Sequence, residues 1–74
     1  MPSECDARGL KCPLPVLYAR RALKSVPIGE VLTVLATDAQ APDDFGHFCQ
    51  TTGHELLGTE QCEGHARISI RKRV

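Results

Sequence analysis

Between Pro13 and about Ser25 the apolar residues Val16, Ala19, Leu23 and Val26 recur at helical spacing, while Arg20, Arg21 and Lys24 occupy the positions between them. The pattern predicts an amphipathic helix with a basic outer face, stopped by Pro27 and Gly29. Glu30 to Thr37, EVLTVLAT, is rich in β-branched and aliphatic residues and nearly continuous in hydrophobicity, as befits a central strand covered or paired on both sides. DAQAPDD then predicts a turn. Phe45, Phe48, Cys49 and Thr52 follow at i, i+3, i+4 and i+7, a short second helix that ends at Gly53, a residue suited to a left-handed cap. HELLGTEQC and HARISIRK flank Glu63-Gly64, a two-residue hairpin turn, and Ala66, Ile68 and Ile70 alternate with Arg67, Ser69 and Arg71. Glu4 to Ala7, closed by Gly9 ahead of the first helix, reads as a short opening strand.

The predicted order is β-α-β-α-β-β. Two helices packed on one face of a four-stranded mixed sheet make an α/β two-layer sandwich. At 74 residues, with no internal repeat, low-complexity tract or linker, residues 1–74 form a single domain. Chains this short build cores worth only about 3–5 kcal/mol unless something staples them.

Charge narrows the function. Nine basic and nine acidic residues balance to zero, which argues against direct binding of nucleic acid through phosphates. No apolar run approaches the ~20 residues of a membrane span. MPSECDARG lacks the basic, apolar and small-residue plan of a signal peptide, so the expected location is cytoplasmic, away from membranes. In that reducing setting Cys5, Cys12, Cys49 and Cys62 are expected to be thiols.

One of these stands apart. In GLKCPLPVL, Pro13 and Pro15 follow Cys12 at the start of the first helix. A proline at the first helical position costs nothing, since its missing N–H has no intrahelical partner there, and this places Cys12 at the N-cap. Free N–H groups and the positive end of the helix dipole then favour thiolate, with Lys11 and Arg8 adding positive potential. With two prolines in the first turn, the remaining donors are chiefly those of Leu14 and Val16, so the sulfur stays accessible in a stiff frame. Cysteine is also a poor N-cap compared with Ser, Asp or Asn, and stability alone rarely selects it there. A nucleophilic, exposed Cys12 is expected.

The other candidates have plainer readings. Cys49 is a small buried hydrophobe beside Phe45 and Phe48, and Cys5 and Cys62 have no assigned role. His47, His54 and His65 with the cysteines show no Cys-x-x-Cys or His-x-x-x-His spacing, so no metal is expected. Asp44 is read as a helix N-terminal residue that complements the dipole, and Gly46 as a site of close packing. Arg20, Arg21 and Lys24, with Arg67, Arg71, Lys72 and Arg73, form either a solvated basic surface or one that steers acidic partners. With Tyr18, Phe45 and Phe48 as the only aromatics, base stacking has little to work with.

CDARGLKCPLPVL, GEVLTVLATD and DFGHFCQTTGHEL together resemble the TusA/SirA family of sulfur carriers across essentially the whole chain. Cys12, Pro13, Leu14 and Pro15 match that family's Cys-Pro-x-Pro motif, and Gly29-Glu30, Asp44 to Cys49 and Gly53-His54 match its flanks. The resemblance implies four strands and two helices. It implies that Cys12 carries sulfane sulfur as a transient persulfide and that no other cofactor is needed. It also implies a cysteine desulfurase or rhodanese as donor and a DsrE-type or other sulfurtransferase as acceptor, serving tRNA thiolation, molybdenum-cofactor sulfuration or sulfur oxidation. Ala39 stands where relatives often carry proline, with Pro42 placed later, and Asp43 stands where a basic residue is common. These departures bear on partner identity. Leu14 is apolar where some members carry Glu, which suits a hydrophobic partner pocket. The competing reading is a regulatory or interaction module that uses the Cys-Pro-x-Pro tip for docking without sulfur transfer. A small thiol redox protein is disfavoured by the lack of a resolving cysteine at Cys-x-x-Cys spacing. Nothing in the pattern demands more than a monomer.

Overall fold

A computed structural model describes residues 3–74 of the chain. Its elements are β1 (Ser3–Ala7), α1 (Leu14–Leu23), β2 (Val31–Ala36), α2 (Ala41–Thr52), β3 (Glu55–Cys62) and β4 (His65–Arg71). The order across the sheet is β1-β2-β4-β3, with β1 parallel to β2 and the other two pairings antiparallel. The predicted α/β two-layer sandwich with a mixed sheet is the observed architecture. A parallel pair needs a crossover, and α1 supplies it.

Period-2 alternation decides which face the helices cover. Leu32, Val34 and Ala36 of β2 and Ala66, Ile68 and Ile70 of β4 are buried. All but Ala66 share one core cluster with Phe45 and Cys49 from α2 and Ala19 and Leu23 from α1. Val31, Thr33 and Leu35 on the other side of β2 are only half-buried. The near-continuous hydrophobicity of that strand therefore reflects pairing along both edges, with helices on one face only. On the open face Leu35 lies between Asp6 and Arg67 in register, and Arg67 in turn faces Glu60 across to β3. β3 is the exposed outer strand. Its register irregularity between Leu56 and Gly58 and its charged Glu55 and Glu60 make a poor template for another strand.

The helices end for local reasons. α2 begins at Ala41, inside the segment expected to be a turn, because Pro42 falls in the first turn, where its missing N–H is free of cost. Asp43 and Asp44 in that turn complement the dipole. Gly53 closes the helix at φ 91°, its N–H donating to the Cys49 carbonyl at 2.9 Å. α1 is shorter than its hydrophobic pattern. Past Leu23 the chain tightens, Val26 N–H donating to the Leu23 carbonyl at 3.1 Å, and the Lys72 ammonium donates to that same carbonyl at 2.7 Å. Pro15 is fully buried, so it packs the first turn of α1 as well as stiffening it.

Candidate functional site

The segment from Arg8 to Pro13 leaves β1 at its carboxyl end, beside the carboxyl end of its parallel neighbour β2, where ligand and reaction sites of open α/β sheets gather. Gly9 takes φ 83° and donates its N–H to Thr37 Oγ1 at 2.9 Å. Cys12 donates its backbone N–H to Asp38 Oδ2, and Asp38 Oδ1 accepts from Gln40 N–H at 3.2 Å. One carboxylate thus fastens the cysteine loop to the start of α2. The Cys12–Pro13 peptide bond is cis.

Cys12 does not cap α1. Pro13 holds the N-cap position and Leu14 is the first helical residue. The Leu14 N–H, one of the donors expected to serve the sulfur, instead closes a turn onto the Lys11 carbonyl at 2.8 Å. The expected stabilisation of thiolate is overturned with it. The Asp44 carboxylate, which lines the same hollow as the sulfur, together with desolvation and the negative charge of Asp38, raises the thiol pKa above its ordinary value. Arg8 brings no relief, because its guanidinium is bound to Asp6 at 2.9 and 3.0 Å. That pairing holds the Asp6 carboxyl down at about 2. These neighbours favour the neutral thiol over the thiolate.

Cys12 is the one fully exposed cysteine; Cys5 and Cys49 are buried and Cys62 is half-exposed at the end of β3. Burial raises the pKa of the Cys49 thiol, which makes it less reactive. Two hollows meet at Cys12. One, of about 400 Å³, is bounded by Gly9, Lys11, Thr37 and Asp38. The other, of about 460 Å³, runs between α1 and α2 past Pro13, Arg20, Asp44, His47 and Phe48. Lys11 and Arg20 thus share walls with Cys12, whereas Arg8 and Arg21 line neither hollow. Leu14 projects outward, 41% exposed, and Pro15 points into the core. No group of three or more His, Cys, Asp or Glu among the described residues converges as metal ligands.

Sequence reasoning missed Thr37 and Asp38 as the anchors of the loop, and it read Asp44 only as a dipole partner. The available signal was Thr-Asp directly after a strand that pairs with the one preceding Cys12. His47 went unplaced for the same reason as Asp44: both approach the thiol from α2, far along the chain.

The site and fold define a class: a small α/β sandwich that presents one exposed thiol at the carboxyl ends of two parallel strands, with no other cysteine lining its hollows. The family model described as "Sulfurtransferase TusA" matches residues 3–72, and the chain belongs to that family. It is 56% identical over 59 residues to a protein of Neisseria meningitidis serogroup A, covering 80% of each chain. It is 42% identical over 69 residues to a protein of Allochromatium vinosum named sulfur carrier protein TusA, covering 93% of this chain and 91% of the relative. A crystal structure of a SirA-like protein from Desulfitobacterium hafniense superposes with a TM-score of 0.81 at 25% identity, over 100% of both chains.

Proposed function

We propose that the protein is a sulfur carrier that accepts sulfane sulfur as a persulfide on Cys12 and passes it to a partner sulfurtransferase. The observation that carries this reading is the exposed Cys12 thiol, fastened through its own backbone to Asp38 in a Cys-Pro-x-Pro loop of this family. The relatives named sulfur carriers support it. Cysteine desulfurases and rhodaneses are the fitting class of donor, and DsrE-type or other sulfurtransferases the fitting acceptors.

The chemistry follows thiol–disulfide exchange. Cys12 first gives up its proton to solvent or to a base of the docked partner, a loss that the nearby Asp44 carboxylate resists. The Cys12 thiolate then attacks the outer sulfur of the donor's persulfide. A bond forms between Cys12 Sγ and that sulfur, the donor's S–S bond breaks, and its electron pair departs on the donor's cysteine as thiolate. An acceptor thiolate repeats the attack on the sulfur carried by Cys12, and the pair returns to Cys12 Sγ. No net oxidation occurs. A resting thiol suits a carrier that must not react until docked, since a partner's cation near Asp44 and Asp38 would lower the thiol pKa at that moment.

The test is intact-mass spectrometry after incubation with a persulfide-charged rhodanese or desulfurase. Wild type should gain one reductant-sensitive sulfur atom, and Cys12→Ser should gain none. If the variant loads equally well, or wild type stays unmodified with several competent donors, Cys12 is not a carrier and docking without transfer takes its place.

A further inference from the structure

The nine cations of this neutral chain fall into two sets. Arg8, Arg67, Arg71 and Arg73 each face a carboxylate within 4 Å. Among the described residues Lys11, Arg20, Arg21, Lys24 and Lys72 have no carboxylate partner at that distance, and no acidic residue occurs between Asp6 and Glu30. Three of these five, Arg20, Lys24 and Lys72, line one hollow of about 220 Å³ with Phe48 and Thr52, while Lys11 lies beside Cys12. That hollow shares Arg20, Phe48 and Thr52 with the one that begins at Cys12, so a single furrow runs between α1 and α2. Its ends differ in sign. Asp44 stands at the thiol end, with Asp38 beside the Cys12 backbone, and Lys24 and Lys72 stand at the far end. The Lys72 ammonium gives one hydrogen bond to the Leu23 carbonyl, a neutral acceptor.

From this polarity we infer that the α1–α2 furrow binds an extended acidic segment of the partner protein, with the partner's cysteine at Cys12 and its carboxylates lying on Arg20, Lys24 and Lys72. The inference rests on the sulfur-carrier reading for the identity of the segment, and its charge argument stands on the furrow alone. The length of α1 sets the spacing. Ten helical residues span about 15 Å, which an extended chain covers in about four or five residues. Acidic residues should therefore lie four or five positions from the partner's reactive cysteine, and not beside it, where Asp44 and Asp38 would repel them. A protein segment fits better than a nucleic acid, because the furrow holds only three cations and the Asp44 carboxylate, with Phe48 its one aromatic ring besides histidines.

Short peptides test this on the full chain. One peptide carries serine in place of cysteine and a Glu-Glu-Glu run starting four residues away, a second has the run adjacent to the serine, and a third replaces it with lysines. Fluorescence anisotropy should show the spaced acidic peptide binding most tightly, with affinity falling steeply as salt rises. The double variant Arg20→Glu/Lys24→Glu should weaken it about tenfold, since two attractive surface contacts become repulsive. Arg67→Glu, the same kind of charge reversal on the open sheet face at half the total change, should leave it unchanged, whereas Arg20→Glu alone should weaken it. Equal binding of all three peptides, equal loss with Arg67→Glu, or tighter binding of a single-stranded oligonucleotide would overturn the inference, as would self-association of the chain that the double variant abolishes. Because serine peptides need no sulfur transfer, failure here is distinct from failure of Cys12 to load.

Discussion

At the scale of single residues, the decisive pair is Cys12 and Asp44. Sequence logic led to a depressed thiol pKa through a helix N-cap, and the direction is reversed because the Asp44 carboxylate, on another helix, lines the same hollow. Asp44→Asn removes that charge and keeps the side chain's size. The thiol pKa should fall, so that iodoacetamide alkylates Cys12 a few-fold faster at pH 7 and the pH–rate curve moves to lower pH. An unmoved curve would mean that Asp44 does not set the thiol's state. Asp6 offers a parallel case with the opposite direction. Its carboxyl is held at about 2 by the Arg8 guanidinium and backbone N–H, against an ordinary 3.8. A depressed carboxyl pKa gives stability that is fully present above about pH 4 and is lost as pH falls toward 2. Both groups are exposed, so the effect on stability is small. NMR should place the Asp6 carboxyl midpoint near 2 in wild type and closer to 3.8 in Arg8→Ala.

The elements show where a cap or turn residue governs the outcome. Gly53 closes α2 at φ 91°, and a Cβ there would meet nothing within 4 Å. Its requirement is therefore purely one of backbone conformation. Gly53→Ala should cost about 1 kcal/mol and Gly53→Asn less, because Asn tolerates the left-handed region better, as urea unfolding would show. This glycine was legible in the sequence, as were all six elements, because hydrophobic period and turn chemistry are local. The hairpin around Glu63-Gly64 and the buried alternation of Ala66, Ile68 and Ile70 follow the sequence pattern residue by residue. The start of α2 was not, because Ala-Pro-Asp-Asp reads equally well as a turn or as a proline-led first helical turn. At the site, Cys12 was legible from its prolines. Its surroundings were not, since Asp38 lies 26 residues away in sequence and meets Cys12 only when β1 and β2 pair. Local reasoning supplied the nucleophile, and tertiary packing set its protonation.

Across the whole molecule, a neutral net charge conceals a division of labour. Paired arginines sit beside β1 and on the β3–β4 side of the sheet, and three of the five unpaired cations collect along the furrow that leads to the thiol. Holding that furrow in shape falls to a small core, and Phe45 is its largest fully buried side chain. Phe45 sits in α2, against Phe48 with ring centroids 6.3 Å apart in an edge-on arrangement, and next in sequence to Asp44. Truncating a buried phenylalanine to alanine costs about 3–5 kcal/mol, and a domain of this size has only about that much stability in total. Phe45→Ala should therefore show no cooperative urea transition by circular dichroism at 25 °C. Phe45→Leu, which leaves a smaller void, should keep the transition with a lower midpoint and an unchanged slope. A Phe45→Ala protein with the wild-type midpoint would mean that α2 is not seated on the sheet through this ring. Asp44 and His47 would then have no fixed place opposite the thiol.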